Sequence, residues 1–345
     1  MTDRVVEGTI LQGTEFDPVE GRVVVEDGRI AAVEEASTDS SAIVLPAFVN
    51  AHTHLGDSVA KEAGEGLDLD ALVAPPDGLK HRLLHDADDD ALVDAMVRSL
   101  RYMRVTGTGA FVDFRENGVH GVELLRRALD EAATGLDATV LARGSAEAMA
   151  AGDGVGASGA RDADYEPLRR AAREAGKPFG IHAGERDPAD VNPALDLDPD
   201  HLVHMVHLDD VHLDRLDAAA VPVVVCPRSN LVTGVGLPDL AALRARTTVA
   251  LGTDNAFLDA PSMFREMEFA SKLFDASARE VLWMATGAGA QVADLDCGVI
   301  AEGREARLLV LDGDSDNLAG AHSLVRAVVR RAGASDVRET ILPAD

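Results

Sequence analysis

The chain has 345 residues, 46% of them apolar, with 60 acidic and 32 basic side chains and a net charge of −28. So acidic a surface repels phosphate backbones, which sets nucleic-acid polymers aside as partners; two cysteines, Cys226 and Cys297, are too few for a disulfide scaffold; and the apolar runs are too short to span a bilayer. The opening stretch MTDRVVEGTILQG lacks signal-peptide texture, so a soluble cytoplasmic protein is expected, and its abundance of Asp with only four Lys resembles the surface of a protein from a salt-accumulating halophile.

Residues 1–46 read as short strands with tight turns, Asp27-Gly28 being a strong hairpin signal. Residues 296–345 have the same texture, so the two ends are expected to form one small β-sandwich domain. Between them, residues 47–295 alternate apolar runs with helical patterns. Eight strands are expected: IVLPAFVNAH, GAFVDF, ATVLAR, the weak GVGASG, PFGIHAG, LVHMVH, VPVVVCP and TTVALGTD. DDDALVDAMVRSLRYMRV, GVELLRRALDEAA, YEPLRRAAREAG and AREVLWMATGAGAQVADL read as helices between or after them. Eight such units over about 250 residues predict an α/β fold, a (β/α)8 TIM-like barrel.

Chemistry-bearing residues fall at the ends of these strands. His52 and His54 sit two apart, so both imidazoles share a strand face and can reach one metal; alone, such a pair is equally two packed histidines. His182, with Glu185 three residues on, ends the fifth strand, His204 ends the sixth and Asp254 the eighth. Strand C-termini form the catalytic face of such a barrel, and a mixed His/Asp set suits catalytic zinc or iron(II) with positions left for water.

These segments together resemble the amidohydrolase superfamily, specifically its aminohydrolase branch of cytosine deaminase, chlorohydrolase and S-adenosylhomocysteine deaminase-like enzymes. LPAFVNAHTHL, GIHAGE, HMVHLDD, VCPRSNLVTGVG, LGTDNA and the closing GVIAEGREARLLVLD carry the resemblance, which covers essentially the whole chain. It implies that His52, His54, His182 and Asp254 hold one divalent metal, zinc or iron(II). It also implies that Glu185 protonates a ring nitrogen, His204 orients the attacking hydroxide, and Asp254 takes the water's proton. The implied reaction is deamination of a small N-heterocycle (nucleobase, nucleoside, pterin or triazine type), and the implied assembly is a homodimer. Hydrolysis of a cyclic amide or imidazolone is the alternative, and a non-catalytic metal-binding barrel a further one. GVGASG offers no Lys for carboxylation, which favours one metal over two.

Arg115 and Arg143 follow the second and third strands and are candidates for a substrate carboxylate, phosphate or carbonyl. Asp57 and Glu62 are expected near the pocket mouth, and Phe257 and Phe264 are the best-placed ring-stacking candidates. His201 is expected at the surface where its strand begins, His207 turned away from the metal, and His81, His85, His120, His212 and His322 exposed. Cys226 reads as core, and Ser229 and Asn230 as loop-shaping.

Overall fold

The computed structural model describes residues 3–75 and 77–343. Both ends of the chain meet in one six-stranded sheet. It consists of β1 (Arg4–Gln12), β2 (Asp17–Glu26), β3 (Arg29–Glu35) and β4 (Ala42–Pro46), joined by two late strands, Leu308–Asp312 and Val337–Ile341. The β2–β3 hairpin turns at Asp27 and Gly28, both with positive φ, 50° and 74°. That is the left-handed pair a tight two-residue turn requires. Alternation separates the faces of this sheet. Ile10, Val44, Leu308 and Val310 pack in a local cluster, while Leu11, Ile43, Leu45, Leu309 and Leu311 join the larger core with Phe48.

The second sheet is all parallel. It runs β5 (Phe48–His54), β6 (Thr108–Arg115), β7 (Asp137–Ala142), β8 (Gly154–Gly159), β9 (Phe179–Ala183), β10 (His201–His204) and β11 (Val223–Val225). The eighth strand is broken in two. β12 (Val249–Leu251) pairs with β11, and β13 (Asp254–Asn255) pairs with β5. Between them Gly252 N donates to Val225 O at 3.1 Å and Thr253 N to His52 O at 3.0 Å, so the split strand joins the two edges. Gly252 is required at this seam, because a Cβ there would stand 2.7 Å from His52 Cβ. The fold is the TIM-like α/β barrel that the strand spacing predicts, including the Gly-rich fourth strand.

Helices Asp89–Val105, Gly118–Ala132 and Glu166–Glu174 form where their apolar periodicity places them, the last stopping before Gly176 at φ 64°. The run 278–295 is two helices, Ala278–Met284 and Gly287–Val292, interrupted at Thr286 with φ −130° and ψ −89°. Gly298 packs so closely on the Gly287 backbone that a Cβ would come within 2.8 Å of it. The β14 (Leu308–Asp312) and β15 (Val337–Ile341) strands then return the chain to the first sheet. Among the described residues no helix is long and apolar enough to cross a membrane.

Phe114 fills the barrel between His52, His182 and His201, at centroid distances of 4.6, 5.1 and 5.8 Å. Glycines make the room: a Cβ on Gly156 would meet Phe114 at 2.6 Å, and one on Gly180 would meet His201 at 2.3 Å. His201 is therefore a buried ring inside the barrel, not the surface residue its place at the start of a strand suggests. His212 is buried as well, its Nδ1 accepting from Asp209 N at 3.0 Å to cap the helix Asp210–Ala219.

Candidate active site

The site is built at the C-terminal ends of five strand positions. Period-2 geometry puts His52 and His54 on one side of β5, their rings 4.8 Å apart. His182 on β9 lies 4.9 Å from His52 and 5.6 Å from His54. Asp254 opens β13, with Oδ1 at 3.3 Å from His52 Nε2 and 3.4 Å from His54 Nε2. One ligand atom from each of His52, His54, His182 and Asp254 falls within 4.8 Å of all the others. Glu185, His204 and Asp254 form a second group of the same compactness, sharing Asp254.

The far side of three of the rings is spoken for. His54 Nδ1 lies 3.0 Å from Phe114 O, His182 Nδ1 2.8 Å from Ala157 O, and His204 Nδ1 3.0 Å from Asn230 Oδ1. Each Nδ1–H donates outward, which leaves Nε2 with its lone pair facing the cluster. Ser229 Oγ donates to Asp254 Oδ2 at 2.6 Å. Asp254 Oδ1 and both nitrogens of His52 are buried without a hydrogen-bond partner. Orphaned groups of this kind cost about 1–3 kcal/mol each, and a divalent cation would satisfy His52 Nε2 and Asp254 Oδ1, which lie 3.3 Å apart, together. The donor set, three neutral imidazoles and a carboxylate, fits zinc or iron(II).

Electrostatics agree with that fit. Burial holds His52 and His182 below the usual imidazole range, and burial together with the Lys80 ammonium takes His54 down to about 3. These are the neutral rings that metal ligation needs. Burial alone would raise Asp254. The close approach of His52, followed by the neighbouring histidines, outweighs it and keeps the carboxyl ionised well below its ordinary value. Burial pushes Glu185 up, with His204, its Nε2 3.6 Å away, opposing the shift. Thus the two carboxyls are shifted in opposite directions, Asp254 down and Glu185 up. His204 and Asp254 both adopt left-handed backbone, φ 75° and 57°. Such conformations in non-glycine residues gather where the surrounding structure fixes a functional side chain, and here Asn230 and Ser229 do the fixing.

A cavity of about 260 Å³ opens over this cluster, and Arg143 lines it. Arg115 does not. It is buried on the other side of β6, 3.5 Å from Asp113, 2.9 Å from Glu116 and against Met96. The strand runs one residue differently from the expected register, so Phe114 and Glu116 face the site and Arg115 packs behind it. Asp57 is also buried, accepting from Phe257 N at 3.1 Å, and does not line the cavity. Glu62 is exposed and likewise outside it. Phe257 packs with Leu72 and Leu258, and Phe264 stacks edge-on against Phe48 at 4.9 Å, so both are core rings. His207 is half-buried outside the cavity, and Cys226 is buried core.

Two site residues escaped the sequence reading. Glu116 Oε1 stands 2.8 Å from His54 Nδ1, and Lys80 Nζ stands 2.7 Å from the same oxygen. Glu116 follows a strand end directly, the signal that identified the ligands. Lys80 projects from the helix Leu79–Asp86 and bears no local mark.

The amidohydrolase family model matches residues 43–341. An uncharacterised protein of Methanocaldococcus jannaschii is 33% identical, covering 96% of this chain and 96% of its own. The 5-methylthioadenosine/S-adenosylhomocysteine deaminase of Halobacterium salinarum is 29% identical over 99% of this chain and 91% of its own. Among solved structures, an adenosine deaminase from Xanthomonas campestris with bound zinc superposes with a TM-score of 0.81 at 19% identity, covering 99% of this chain and 92% of that one. Motif order, barrel geometry and these matches agree that the chain belongs to the amidohydrolase family, as a hydrolase acting on carbon–nitrogen bonds.

Proposed function

We propose that the protein is a mononuclear, metal-dependent aminohydrolase that removes ammonia from a small N-heterocycle. The observation that carries this is the convergence of His52, His54, His182 and Asp254 on one point, with Glu185 and His204 beside it. These four residues would hold one zinc or iron(II) ion, and zinc is preferred because the similar adenosine deaminase structure contains it. Bound there, a divalent cation would supply Lewis acidity that lowers the pKa of water to about 7.

The chain's own residues supply the rest. Asp254, held ionised, accepts a proton from the attacking water. His204, its Nδ1–H committed to Asn230, offers Nε2 as an acceptor that aims that water. Glu185, biased toward its protonated form, donates to the ring nitrogen and makes the ring carbon electrophilic. Left as a carboxylate, Glu185 takes the proton of the newly added hydroxyl and passes it to the leaving amine, so that ammonia departs as the carbon–oxygen bond becomes a carbonyl. The cavity suits a single small ring, and no Phe, Tyr or Trp lines it among the described residues. Arg143, at its wall, would meet a carbonyl, carboxylate or phosphate of the substrate. Among the described residues, the only lysine lining the cavity is Lys80, which comes from a helix and not from β8, and this favours one metal over two bridged by a carboxylated lysine.

An ammonia-release screen of aminopurines, pterins, pyrimidines and triazines on zinc-reconstituted protein tests the reading. At least one class is expected to release ammonia in equimolar amount with product. A panel without ammonia but with opening of a lactam or imidazolone ring would transfer the site to cyclic-amide hydrolysis.

The charge of −28 also supports a high-salt habitat. Screening shortens the Debye length from about 10 Å at 0.1 M to about 3 Å at 1 M salt, relieving self-repulsion. Thermal unfolding is therefore expected to shift upward by several degrees between 0.1 and 2 M KCl; an unchanged or lower midpoint rejects the habitat.

A further inference from the structure

We infer that Glu116 is a positioning residue for the metal ligand His54, with Lys80 as its counter-ion, and that this pair sets how tightly the site holds a divalent cation. The inference rests on the metal-site reading above. Three of the site's histidines turn Nδ1 toward an acceptor. For His182 and His204 that acceptor is neutral, the Ala157 carbonyl and the Asn230 amide oxygen. His54 Nδ1 likewise has a neutral acceptor, the Phe114 carbonyl at 3.0 Å, but it alone also has a carboxylate oxygen beside it, Glu116 Oε1 at 2.8 Å, in ion-pair contact outside hydrogen-bond geometry. A negative charge behind an imidazole makes its other nitrogen a stronger donor and fixes the ring's orientation.

Glu116 is 3% exposed. A carboxylate buried so completely stays charged only when cations accompany it. Lys80 Nζ at 2.7 Å and Arg115 Nη2 at 2.9 Å do so. Lys80, itself 2% exposed, is held from its other side by Asn255 Oδ1 at 2.8 Å and by Asp57 at 3.5 Å. Asn255 directly follows the ligand Asp254 on β13. Thus Lys80 joins the helix beside the cavity mouth to the residues behind two different ligands. Its charge opposes metal binding while its position supports Glu116, so the two side chains act with opposite sign on a bound cation. An ion pair serving the fold alone would not separate them.

Zinc affinity, measured by competition with a chromogenic chelator at fixed pH and salt, tests this without reference to turnover. Glu116→Gln is expected to raise the zinc Kd about 10- to 100-fold. Because Arg115 Nη2 at 2.9 Å still accompanies Glu116, Lys80→Met is expected to leave the Kd within about threefold of the parent or to lower it, while the melting temperature of the metal-free protein falls. A Kd unchanged by Glu116→Gln, or one raised equally by both substitutions, overturns the inference. Should Glu116→Gln not fold, Glu116→Asp takes its place: a Kd raised about threefold or more sustains the inference, and an unchanged Kd overturns it. A parent protein that binds no zinc overturns the metal-site reading and this inference with it, whereas a parent that binds zinc but shows the unchanged Kd overturns this inference alone.

Discussion

Replacing Glu185 by Gln is expected to lower kcat by about 10²–10⁴-fold while the protein keeps one metal per chain. The size follows from the role. Gln matches the shape of the carboxylic acid but has no proton to give to a ring nitrogen, and none to carry to the departing amine. The metal content follows from geometry, since Glu185 lies outside the group of four ligands and shares a compact cluster only with His204 and Asp254. Burial raises the Glu185 carboxyl above its usual range, so its protonated form persists to higher pH than that of an ordinary glutamate. Activity that depends on this proton is lost as pH rises through the elevated value, and the alkaline limb of the parent's pH–rate profile should be absent in the Gln variant. Metal analysis beside steady-state kinetics on one preparation separates the outcomes. Metal loss in parallel with rate would make Glu185 a ligand, and a change of less than about tenfold in kcat would remove it from the chemistry.

What the sequence makes legible follows from short-range periodicity. His52 and His54 share a side of β5 because strands have period two, and His182, His204 and Asp254 were visible because each closes an apolar run. Failures came where that regularity breaks or where a partner is distant. At the end of β6 a single residue of register decides whether Arg115 or Glu116 enters the site, and composition favours neither. The eighth strand reads as one apolar run, but its two pieces belong to different neighbours, and only the seam at Gly252 makes the break necessary. Lys80 pairs with Glu116, 36 positions away, and with Asn255, 175 positions away, so no local pattern announces it. His201 was expected outside because it opens its strand; the space that admits it belongs to Gly180 on the neighbouring strand. The stacking rings expected at Phe257 and Phe264 went to the core, since aromatic side chains near a site remain subject to the burial of roughly 1.5–3 kcal/mol that every large apolar group gains.

Asp254→Asn should abolish turnover for two reasons that can be measured apart. The substitution is mild for the fold: Asn tolerates left-handed backbone as Asp does, so φ 57° at this position is not a new burden. Its amide oxygen can still accept from Ser229 Oγ, which now bonds Asp254 Oδ2 at 2.6 Å. What disappears is charge. Three neutral imidazoles remain around the cation, with an uncharged oxygen in place of the carboxylate whose Oδ1 faces His52 and His54, so zinc retained after dialysis should fall well below one per chain. Raising free zinc should refill the site by mass action. The rate should not return with it, since an amide cannot accept the proton that the attacking water must lose. Refilled protein is therefore expected to bind metal to stoichiometry and remain at least about 10²-fold below the parent in kcat. Recovery of rate in step with occupancy would leave Asp254 as a ligand alone and move the proton-accepting role to His204, the remaining acceptor aimed at the same point.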